Sequence, residues 1–326
     1  EFRRVLFRSV SFMKVFITGG AGFVGSHIAD VLLARGDEVL VIDNFSTGRR
    51  DNLVEHKNLR IVEDSIANAH VVEELISSFK PEVVVHTAAS YKDPENWEED
   101  SLTNVAGTAN VVKSCKNNNV SRVIYFQTAL CYGLKPQEQP VTLNHPILPG
   151  GSSYAISKTA AEFYVELSGL DYVTFRLANA YGPRNISGPL PTFFKRITED
   201  KGCFVTETRR DFVYIDDMVN CIIKSIDGKG QGAYHLSSGG DYAIKELFDE
   251  TIATLGVDVD VDVRARMPDD VFSILLDPSR TNKDFDWKPE VSLKKGVKAT
   301  IEYYQKHGIA ETFTHLKQEE KSAKTV

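Results

Sequence analysis

The loop between two predicted elements near the start of the chain constrains the fold most strongly. Residues 15–18 form a short run with β-branched side chains that predicts a strand, and the apolar period of residues 28–33 predicts a helix. Between them, Gly19, Gly22 and Gly25 follow the spacing Gly-x-x-Gly-x-x-Gly. Glycines at this spacing permit a tight turn and let the backbone approach a pyrophosphate at the helix N-terminus. The segment therefore predicts a dinucleotide site.

An acidic residue at the end of the next strand supports this interpretation. The apolar run at residues 38–42 ends in Asp43, about 20 residues beyond the glycine loop. A carboxylate there accepts a hydrogen bond from the adenosine ribose and repels a 2′-phosphate, which favours NAD over NADP. Arg49 and Arg50 leave NADP open as an alternative, and they can equally be solvated.

Regular alternation of strands and helices predicts the fold class. The further predicted strands lie at residues 60–64, 82–89 and 122–128, and the further predicted helices at 69–79, 102–117, 153–168 and 244–255. We expect an α/β protein with a Rossmann-type doubly wound parallel sheet, right-handed crossovers and helices on both faces. Ligands of such a sheet bind beyond the carboxyl ends of its strands.

A tyrosine and a lysine at helical spacing offer acid/base chemistry. Tyr154 and Lys158 lie four residues apart, so that on a helix both side chains can point into one cavity. A neighbouring cation favours the phenolate and lowers the pKa of the tyrosine. The same spacing also occurs on surface helices, where the lysine is solvated, so the pair gains meaning only from its surroundings. One of these is Thr128, a hydroxyl at the end of a predicted strand.

Composition excludes several classes of function. The net charge of −7 argues against a nucleic-acid or acidic-membrane partner. No apolar run approaches the ~20 residues that cross a bilayer. Cys115, Cys131, Cys203 and Cys221 are widely separated, which indicates free thiols in a reducing, cytoplasmic compartment and no metal site. We expect Cys131 to serve packing.

Family motifs occur in order along residues 14–307. They are Thr-Gly-Gly-Ala-Gly-Phe-Val-Gly-Ser-His at 18–27, Asp43-Asn44, Asp64, His86-Thr87-Ala88-Ala89, Asn104-x-x-Gly107-Thr108-x-Asn110, Thr128 followed by Tyr132-Gly133, Tyr154-x-x-x-Lys158, Arg176-x-x-Asn179-x-Tyr181-Gly182-Pro183, and the run at 210–217. The chain thereby resembles the extended short-chain dehydrogenase/reductase family. Within it, the pattern is most similar to NAD-dependent nucleotide-sugar epimerases and dehydratases of the UDP-glucose 4-epimerase-like kind.

The resemblance implies roles for individual residues. Tyr154 would be the general base and acid at a sugar hydroxyl, and Thr128 would hydrogen-bond the same hydroxyl. Lys158 would hold the nicotinamide ribose and, together with the positive nicotinamide, lower the pKa of Tyr154. The residues implied at a tightly bound NAD are Gly19, Gly22, Phe23, Val24, Gly25, Asp43, Asn44, Ser46, Gly48, Asp64, Ser65, Ile66, Thr87, Ala88, Ala89, Asn104, Tyr154, Lys158, Leu177 and Asn179. Those implied at the nucleotide sugar are Lys92, Thr128, Asn179, Phe204, Arg210 and Arg266, with Arg264 open in place of Arg266.

The resemblance also implies a division of the chain. Residues 13–178 would form the NAD-binding Rossmann domain, to which residues 212–240 return, and residues 179–316 would form mainly a smaller C-terminal α/β substrate domain. Residues 317–326 read as a polar tail, and residues 1–12, which differ in pattern from the rest, are expected to be a remnant foreign to the natural chain. The family implies a homodimer formed through two helices, at about 101–117 and 153–168.

The three residues after Thr128 distinguish among the reactions of the family. They are Ala129, Leu130 and Cys131, where the dehydratases place Asp-Glu and the decarboxylases commonly place Glu. Without a carboxylic acid to protonate the leaving hydroxide, elimination lacks its general acid. We therefore expect epimerisation of a UDP-hexose at C4, through a transient 4-keto sugar.

Four alternatives stay open. A UDP-glucuronate 4-epimerase or decarboxylase would need a cation for the substrate carboxylate, which Arg184 could supply. A 4,6-dehydratase and a net dehydrogenase or reductase would share the tyrosine and the lysine. A regulator that only binds NAD would be expected to have lost Tyr154 or Lys158. Glucose, N-acetylglucosamine and glucuronate all stay open as the sugar. Asp211 is expected to be a buried acid that holds a loop rather than a catalytic group.

Overall fold

The structure, a computed structural model, describes residues 12–266, 270–309 and 311–313. The expectations for residues 1–11 and for the tail at 317–326 therefore fall outside the described residues. Within them, the strands are β1 (Lys14–Thr18), β2 (Glu38–Asp43), β3 (Leu59–Glu63), β4 (Val83–His86), β5 (Arg122–Thr128), β6 (Tyr172–Leu177), β7 (Asn179–Tyr181), β8 (Cys203–Thr206), β9 (Arg209–Arg210), β10 (Phe212–Tyr214), β11 (Gly232–Leu236), β12 (Tyr242–Ala243) and β13 (Val261–Arg264).

Helices connect and cover these strands. They are α1 (Phe23–Arg35), α2 (Ala69–Phe79), α3 (Trp97–Glu99), α4 (Thr108–Asn117), α5 (Ser153–Leu167), α6 (Pro189–Thr198), α7 (Ile215–Ile226), α8 (Ile244–Leu255), α9 (Ser279–Phe285) and α10 (Leu293–His307). A π-helix, Asp100–Gly107, joins α3 to α4, and short 3₁₀ turns lie at Arg50–Asn52 and Ala129–Tyr132.

The main sheet confirms the predicted fold class. In the described chain it has seven strands in the order β11-β6-β5-β4-β1-β2-β3, and every neighbouring pair is parallel. The central strands are buried on both faces, as the continuous apolar runs of β1, β2 and β4 require. The strand order reverses between β1 and β4, so that a crevice opens beyond their carboxyl ends.

One strand is shorter than the sequence predicts. We expected a strand over residues 82–89, but β4 ends at His86. There, the Nδ1 atom of His86 lies 2.6 Å from the hydroxyl oxygen of Thr18, and the N–H of Thr87 donates to the carbonyl of Thr18. The chain then leaves the sheet, and Thr87, Ala88 and Ala89 run along the crevice instead of extending the strand.

A smaller layer covers the crevice from the other side. It contains the two-stranded pairs β7 with β10, β9 with β12 and β8 with β13, together with α6, α8 and α10. Aromatic side chains form its core: Phe193 packs edge-on against Phe248 at 5.3 Å between ring centroids, and Phe194 lies 5.1 Å from Tyr304. The strand β11 returns from this part of the chain to pair with β6 at the edge of the main sheet.

Candidate active site

A cleft of about 1280 Å³ lies between the two layers, at the carboxyl ends of the central strands. The glycine loop and residues 43–48 form one wall, and residues 184–190, 210–212 and 270–274 contribute to the other. All of the residues predicted at NAD line this cleft except Asn104. The structure thus brings together side chains from segments that are far apart in the sequence.

The glycine loop has the shape and the donors that a pyrophosphate requires. A Cβ atom on Gly19, whose φ is +67°, would lie 2.7 Å from the backbone of Ala88, and one on Gly25 would lie 2.5 Å from the carbonyl oxygen of Gly19. Gly22 is the N-cap of α1 and provides no side-chain cap. The first N–H groups of this helix therefore have no partner in their own helix and can receive an anion from the cleft.

Asp43 is held in place by the backbone around it. Its Oδ2 accepts a hydrogen bond from the N–H of Ala21 at 2.9 Å, and its Oδ1 accepts one from the N–H of Phe45 at 2.8 Å. Burial raises the pKa of this carboxyl group, and the two backbone donors oppose the shift. A Cβ atom on Gly48 would lie 2.9 Å from both carboxylate oxygens, so the loop passes close to them. A preset acceptor of this kind suits a ribose hydroxyl.

Both arginines that kept NADP open are paired with acids. Arg49 donates to Asp51 at 2.5 and 2.8 Å, and Arg50 donates to Glu63 at 2.8 Å. Their charges are thus balanced by carboxylates, which favours NAD over NADP at this end of the cleft.

The predicted tyrosine and lysine enter the cleft from the start of α5. The helix begins where the hydroxyl of Ser152 accepts a hydrogen bond from the N–H of Ala155 at 3.1 Å, a typical N-cap. Tyr154 and Lys158, on one face of the first turns, both line the cleft, and Thr128 lines it from the end of β5. The Thr128 hydroxyl accepts from the N–H of Leu130 at 3.2 Å, which leaves its O–H to donate.

Burial dominates the electrostatics of this pair. Burial raises the pKa of Tyr154, and Tyr91 and Asp100 add to the shift. The largest cause is desolvation, which disfavours the charged phenolate. The lowering expected from Lys158 together with the charge of a nicotinamide stays a prediction. Burial also lowers the pKa of Lys158 to about 7, against the charge of Glu162.

Asn104 lies behind the wall of the cleft, and its predicted contact with NAD is not supported. Its side chain is only 1% exposed. The amide oxygen accepts from the N–H of Ser90 at 2.8 Å, and the amide nitrogen donates to the carbonyl of Ser90 and to the hydroxyl of Ser157, both at 3.0 Å. These bonds join α5 to the segment after β4, so the residue shapes the cleft without lining it.

Lys92, Asn179 and Arg210, which were predicted at the sugar nucleotide, line the cleft. The guanidinium of Arg210 donates to the Asp270 carboxylate at 2.6 Å and to the carbonyl of Val271 at 2.7 Å. The ammonium of Lys92 lies 4.7 Å from the centroid of the Phe313 ring. Arg210 thus faces the cleft with part of its charge balanced by Asp270.

The other two predicted substrate residues lie off the cleft. The guanidinium carbon of Arg264 lies 4.1 Å from the centroid of the Phe204 ring. Arg266 donates to the carbonyl of Asp270 at 2.5 Å. Neither they nor Arg264 belong to the lining. The predicted contacts of Phe204 and Arg266 with a substrate are therefore not supported, because both side chains are directed to partners within the smaller layer.

Two expectations about reactive-looking side chains are confirmed. Asp211 is fully buried and accepts from the hydroxyl of Ser237 at 2.5 Å and from the N–H of Ser238 at 3.2 Å, so it holds a loop. Cys131 is fully buried, and burial raises the pKa of its thiol, which makes it an inert packing group.

Arg184 is engaged by α1. Its guanidinium forms an ion pair with Asp30 at 2.7 Å and donates to the hydroxyl of Ser26 at 3.2 Å. Although Arg184 lines the cleft, its charge is balanced on the side of the glycine loop. This position argues against its use as the cation for a substrate carboxylate.

Sequence reasoning missed several residues that line the cleft. They include Tyr91, which is hydrogen-bonded to Thr47 and whose pKa burial raises, as well as Trp97, Ile186, Pro189 and Phe313. Tyr91 follows the end of a central strand, and that place alone could have indicated it. Phe313 comes to the cleft by backbone pairing with Ile186 and Gly188, which no local pattern reveals.

The described residues offer neither a metal-binding cluster nor a membrane-spanning helix. They contain no group of three or more His, Cys, Asp or Glu side chains arranged to hold a metal ion. Every helix among them falls short of the length and apolarity that a membrane-spanning segment needs.

Comparison with known proteins finds close likenesses over most of the chain. The model of the NAD dependent epimerase/dehydratase family matches residues 15–236. The Bordetella bronchiseptica enzyme WbmH, solved in complex with NAD⁺, is 55% identical with a TM-score of 0.90, covering 91% of this chain and 100% of that one. WbmG of the same organism, solved with NAD and UDP, is 42% identical with a TM-score of 0.88, covering 94% and 99%. UDP-glucose 4-epimerase of Thermotoga maritima, solved with UDP-glucose, is 30% identical with a TM-score of 0.85, covering 90% and 99%.

Proposed function

Because this chain belongs to the NAD dependent epimerase/dehydratase family, we propose that it inverts the C4 configuration of a UDP-linked hexose through a transient 4-keto sugar. The substrate would be UDP-glucose or UDP-galactose, or their N-acetyl forms. The observation that carries the proposal is the convergence of Thr128, Tyr154 and Lys158 on a cleft that also contains the glycine loop. The similarity to a UDP-glucose 4-epimerase supports the choice of reaction.

The residues at the sheet end of the cleft suit a tightly held NAD. The N–H groups at the start of α1 would bind the pyrophosphate, and Asp43 would accept a hydrogen bond from the adenosine ribose. Lys158 would donate to the nicotinamide ribose. When bound, NAD supplies an acceptor that takes a hydride from C4 of the sugar and returns it to the opposite face.

The three residues at the centre of the cleft would manage the proton of the C4 hydroxyl. Tyr154 would take this proton as the 4-keto sugar forms and give it back afterwards. The hydroxyl of Thr128 would hydrogen-bond the same oxygen and orient it. The ammonium of Lys158 is the charge that the chain offers to stabilise the phenolate, against the burial that raises the pKa of Tyr154.

The surroundings of Thr128 disfavour the competing reactions. The turn Ala129–Tyr132 contributes Ala129 and Leu130 to the cleft, and neither can protonate a leaving hydroxide. A uronate substrate would need a cation, and Arg184 is paired with Asp30. These observations favour epimerisation of a neutral sugar over dehydration and over decarboxylation.

We assign the diphosphate of the substrate to the far wall of the cleft. Asn179 and Arg210 line this wall, and a guanidinium fork matches phosphate oxygens. With this assignment, residues 13–178 and 212–240 would form the NAD-binding domain, and residues 179–316 mainly the substrate domain.

We further propose a homodimer formed through one face of α5 and the π-helix Asp100–Gly107 that leads into α4. The apolar side chains Leu102, Ile156, Phe163, Tyr164 and Leu167 are between 42% and 77% exposed on these two elements. A cluster of large exposed apolar side chains on neighbouring helices indicates an interaction surface. A second copy of the chain would cover it.

A panel of UDP-sugars tests the reaction. The protein is incubated with UDP-glucose, UDP-galactose, their N-acetyl forms and UDP-glucuronate, and proton NMR follows the C4 configuration. We expect C4 inversion of a neutral sugar without added NAD and no lasting change in absorbance at 340 nm. As the control, Tyr154→Phe should retain NAD and lose turnover by about 10²- to 10⁴-fold. Stoichiometric accumulation of NADH, or a product that has lost C6 or its hydroxyl, would contradict the proposal.

A further inference from the structure

Tyr125 contacts Lys158 at two places, the main-chain carbonyl and the side-chain ammonium. It lies fully buried on β5, beneath α5. Its hydroxyl donates to the main-chain carbonyl of Lys158 at 2.8 Å, and the Nζ atom of the same lysine lies 4.2 Å from the centroid of its ring. An aromatic face attracts a cation at this distance, most strongly where water is excluded.

The other groups around Lys158 do not replace this contact. His86, on β4, is buried. Burial is the larger cause and the charge of Lys158 the smaller cause that lower its pKa to about 3, so its imidazole is neutral. Glu162, one turn further along α5, is fully buried and is shared with Arg176 on β6, whose guanidinium donates to it at 2.9 and 3.1 Å. Burial raises the pKa of Tyr154, which disfavours a phenolate as a partner for the ammonium before a cofactor binds. The Lys158 ammonium therefore has two stabilising neighbours. One is the Glu162 carboxylate, whose charge is already balanced by Arg176, and the other is the ring of Tyr125.

Two opposing effects determine the pKa of Lys158, burial and the charge of Glu162. Burial lowers the pKa of its ammonium to about 7, with the charge of Glu162 opposing the shift. A group with a pKa near 7 changes its charge in the physiological range, so a modest loss of stabilisation would leave much of the lysine neutral at neutral pH.

We propose that Tyr125 is a positioning residue for catalysis, whose ring keeps the Lys158 ammonium charged inside the cleft and whose hydroxyl fixes the backbone of the same residue. The proposal rests on the role of Lys158 in the proposed function. It separates two tasks: the ring acts on the charge, and the hydroxyl acts on the position of α5. The amide of Gln127, which donates to the same carbonyl at 3.1 Å, shares only the second task.

Three variants distinguish these tasks. Tyr125→Phe keeps the ring and removes the hydroxyl, whereas Tyr125→Leu removes both. Tyr234→Leu is the matched control, since Tyr234 is a buried tyrosine on β11 whose ring lies 4.2 Å from the guanidinium of Arg280, remote from the cleft lining. If Tyr125→Leu does not fold, Tyr125→Met fills a similar volume without an aromatic face.

The readout is the titration of Lys158 itself. Full-length protein with ¹³Cε-labelled lysine is titrated by NMR, with and without NAD, and the resonance is assigned by its loss in Lys158→Met. We expect Tyr125→Leu or Tyr125→Met to lower the pKa of Lys158 by about 0.4 to 1.5 units. Tyr125→Phe and Tyr234→Leu should leave it within about 0.3 units of the original, a bound well below one cation–π contact.

Two results would overturn the proposal. An unchanged Lys158 titration in the variants without a ring would show that the aromatic face does not hold the charge. An equal shift in Tyr125→Phe would show that the hydroxyl acts instead. The measurement needs no sugar, so failure of this proposal is separable from failure of the proposed epimerisation, which the UDP-sugar panel tests.

Discussion

At the scale of single residues, the orientation of Asp43 by the backbone would set the proposed preference for NAD before the cofactor binds. Both of its oxygens already accept a backbone N–H, from Ala21 and from Phe45, and each keeps further lone pairs for a ligand. The carboxylate is therefore oriented at no cost to the ligand. The same charge would repel a phosphate at the ribose 2′ position.

We expect Asp43→Asn to weaken NAD binding by about 10- to 100-fold, since a hydrogen bond to a charged group contributes about 1.5–3 kcal/mol. The preference for NAD over NADP should narrow, because the repulsion of the 2′-phosphate is removed. Calorimetric titration of cofactor-depleted protein with both dinucleotides measures the two effects. Asp227→Asn, which alters a surface acid paired with Arg35, serves as the control. Equal binding of NAD by Asp43→Asn and the original protein would refute this role.

Spacing in the sequence identified the residues that line the cleft only where backbone geometry determines their place. Tyr154 and Lys158 share a helical face, and the glycines make a loop, so both sets could be predicted. The contacts of Asn104, Phe204 and Arg266 could not, because the partners that direct their side chains, Ser157, Arg264 and Asp270, come from other segments or from conformations that the sequence does not show.

At the scale of elements, an ion pair joins the helix that carries the tyrosine to the sheet. Glu162 on α5 is fully buried, and its side chain meets the guanidinium of Arg176 on β6, which is 6% exposed. Gln127 donates to the second carboxylate oxygen at 2.9 Å, and the hydroxyl of Tyr132 accepts from Arg176 at 2.8 Å. The helix is thus fixed by a polar network as well as by packing.

We expect Glu162→Gln to reduce the free energy of unfolding by about 3–5 kcal/mol, because it leaves the Arg176 charge buried without a counter-ion. The double variant Glu162→Gln with Arg176→Met should lose less than the single one. Urea denaturation followed by circular dichroism measures both. Asp249→Asn, which breaks an exposed pair with Lys245, should change the value by less than about 1 kcal/mol. If Glu162→Gln alone is at least as stable as the double variant, Glu162 and Arg176 are not energetically coupled.

The elements differ in how well the sequence revealed them. The helices Ala69–Phe79 and Ile244–Leu255 were predicted with their observed ends, because their apolar period and their bounding residues agree. The strand Tyr172–Leu177 was not predicted, since Thr174 and Arg176 interrupt its apolar run. Arg176 is buried there only because Glu162 arrives from another element.

At the scale of the whole molecule, the exposed apolar face of α5 leads to a prediction about assembly. We expect the double variant Phe163→Glu with Leu167→Lys to convert a dimer into a monomer, since charges on a buried helix face would have to be desolvated. Size-exclusion chromatography with light scattering measures the mass. Val263→Glu, a change at another exposed apolar side chain, should leave the dimer intact. If the original protein is a monomer at micromolar concentration, the proposed interface is wrong.

The two layers differ in how far the sequence could describe them. The main sheet follows from alternating strands and helices, which leave few topologies for a parallel sheet. The smaller layer is built from two- to four-residue strands that pair across long distances, such as Cys203–Thr206 with Val261–Arg264. Such short strands have no periodicity of their own, so their partners are set by tertiary packing.

The origin of the two walls of the cleft has a consequence for how such a protein can change over evolution. One wall belongs to the parallel sheet, and its glycines and its acid leave little freedom for substitution. The opposite wall is assembled from separate connecting segments, at 184–190, 210–212 and 270–274. On the proposed function, descendants of this chain would accept other sugars through changes in those segments, while the wall formed by the sheet stays unchanged.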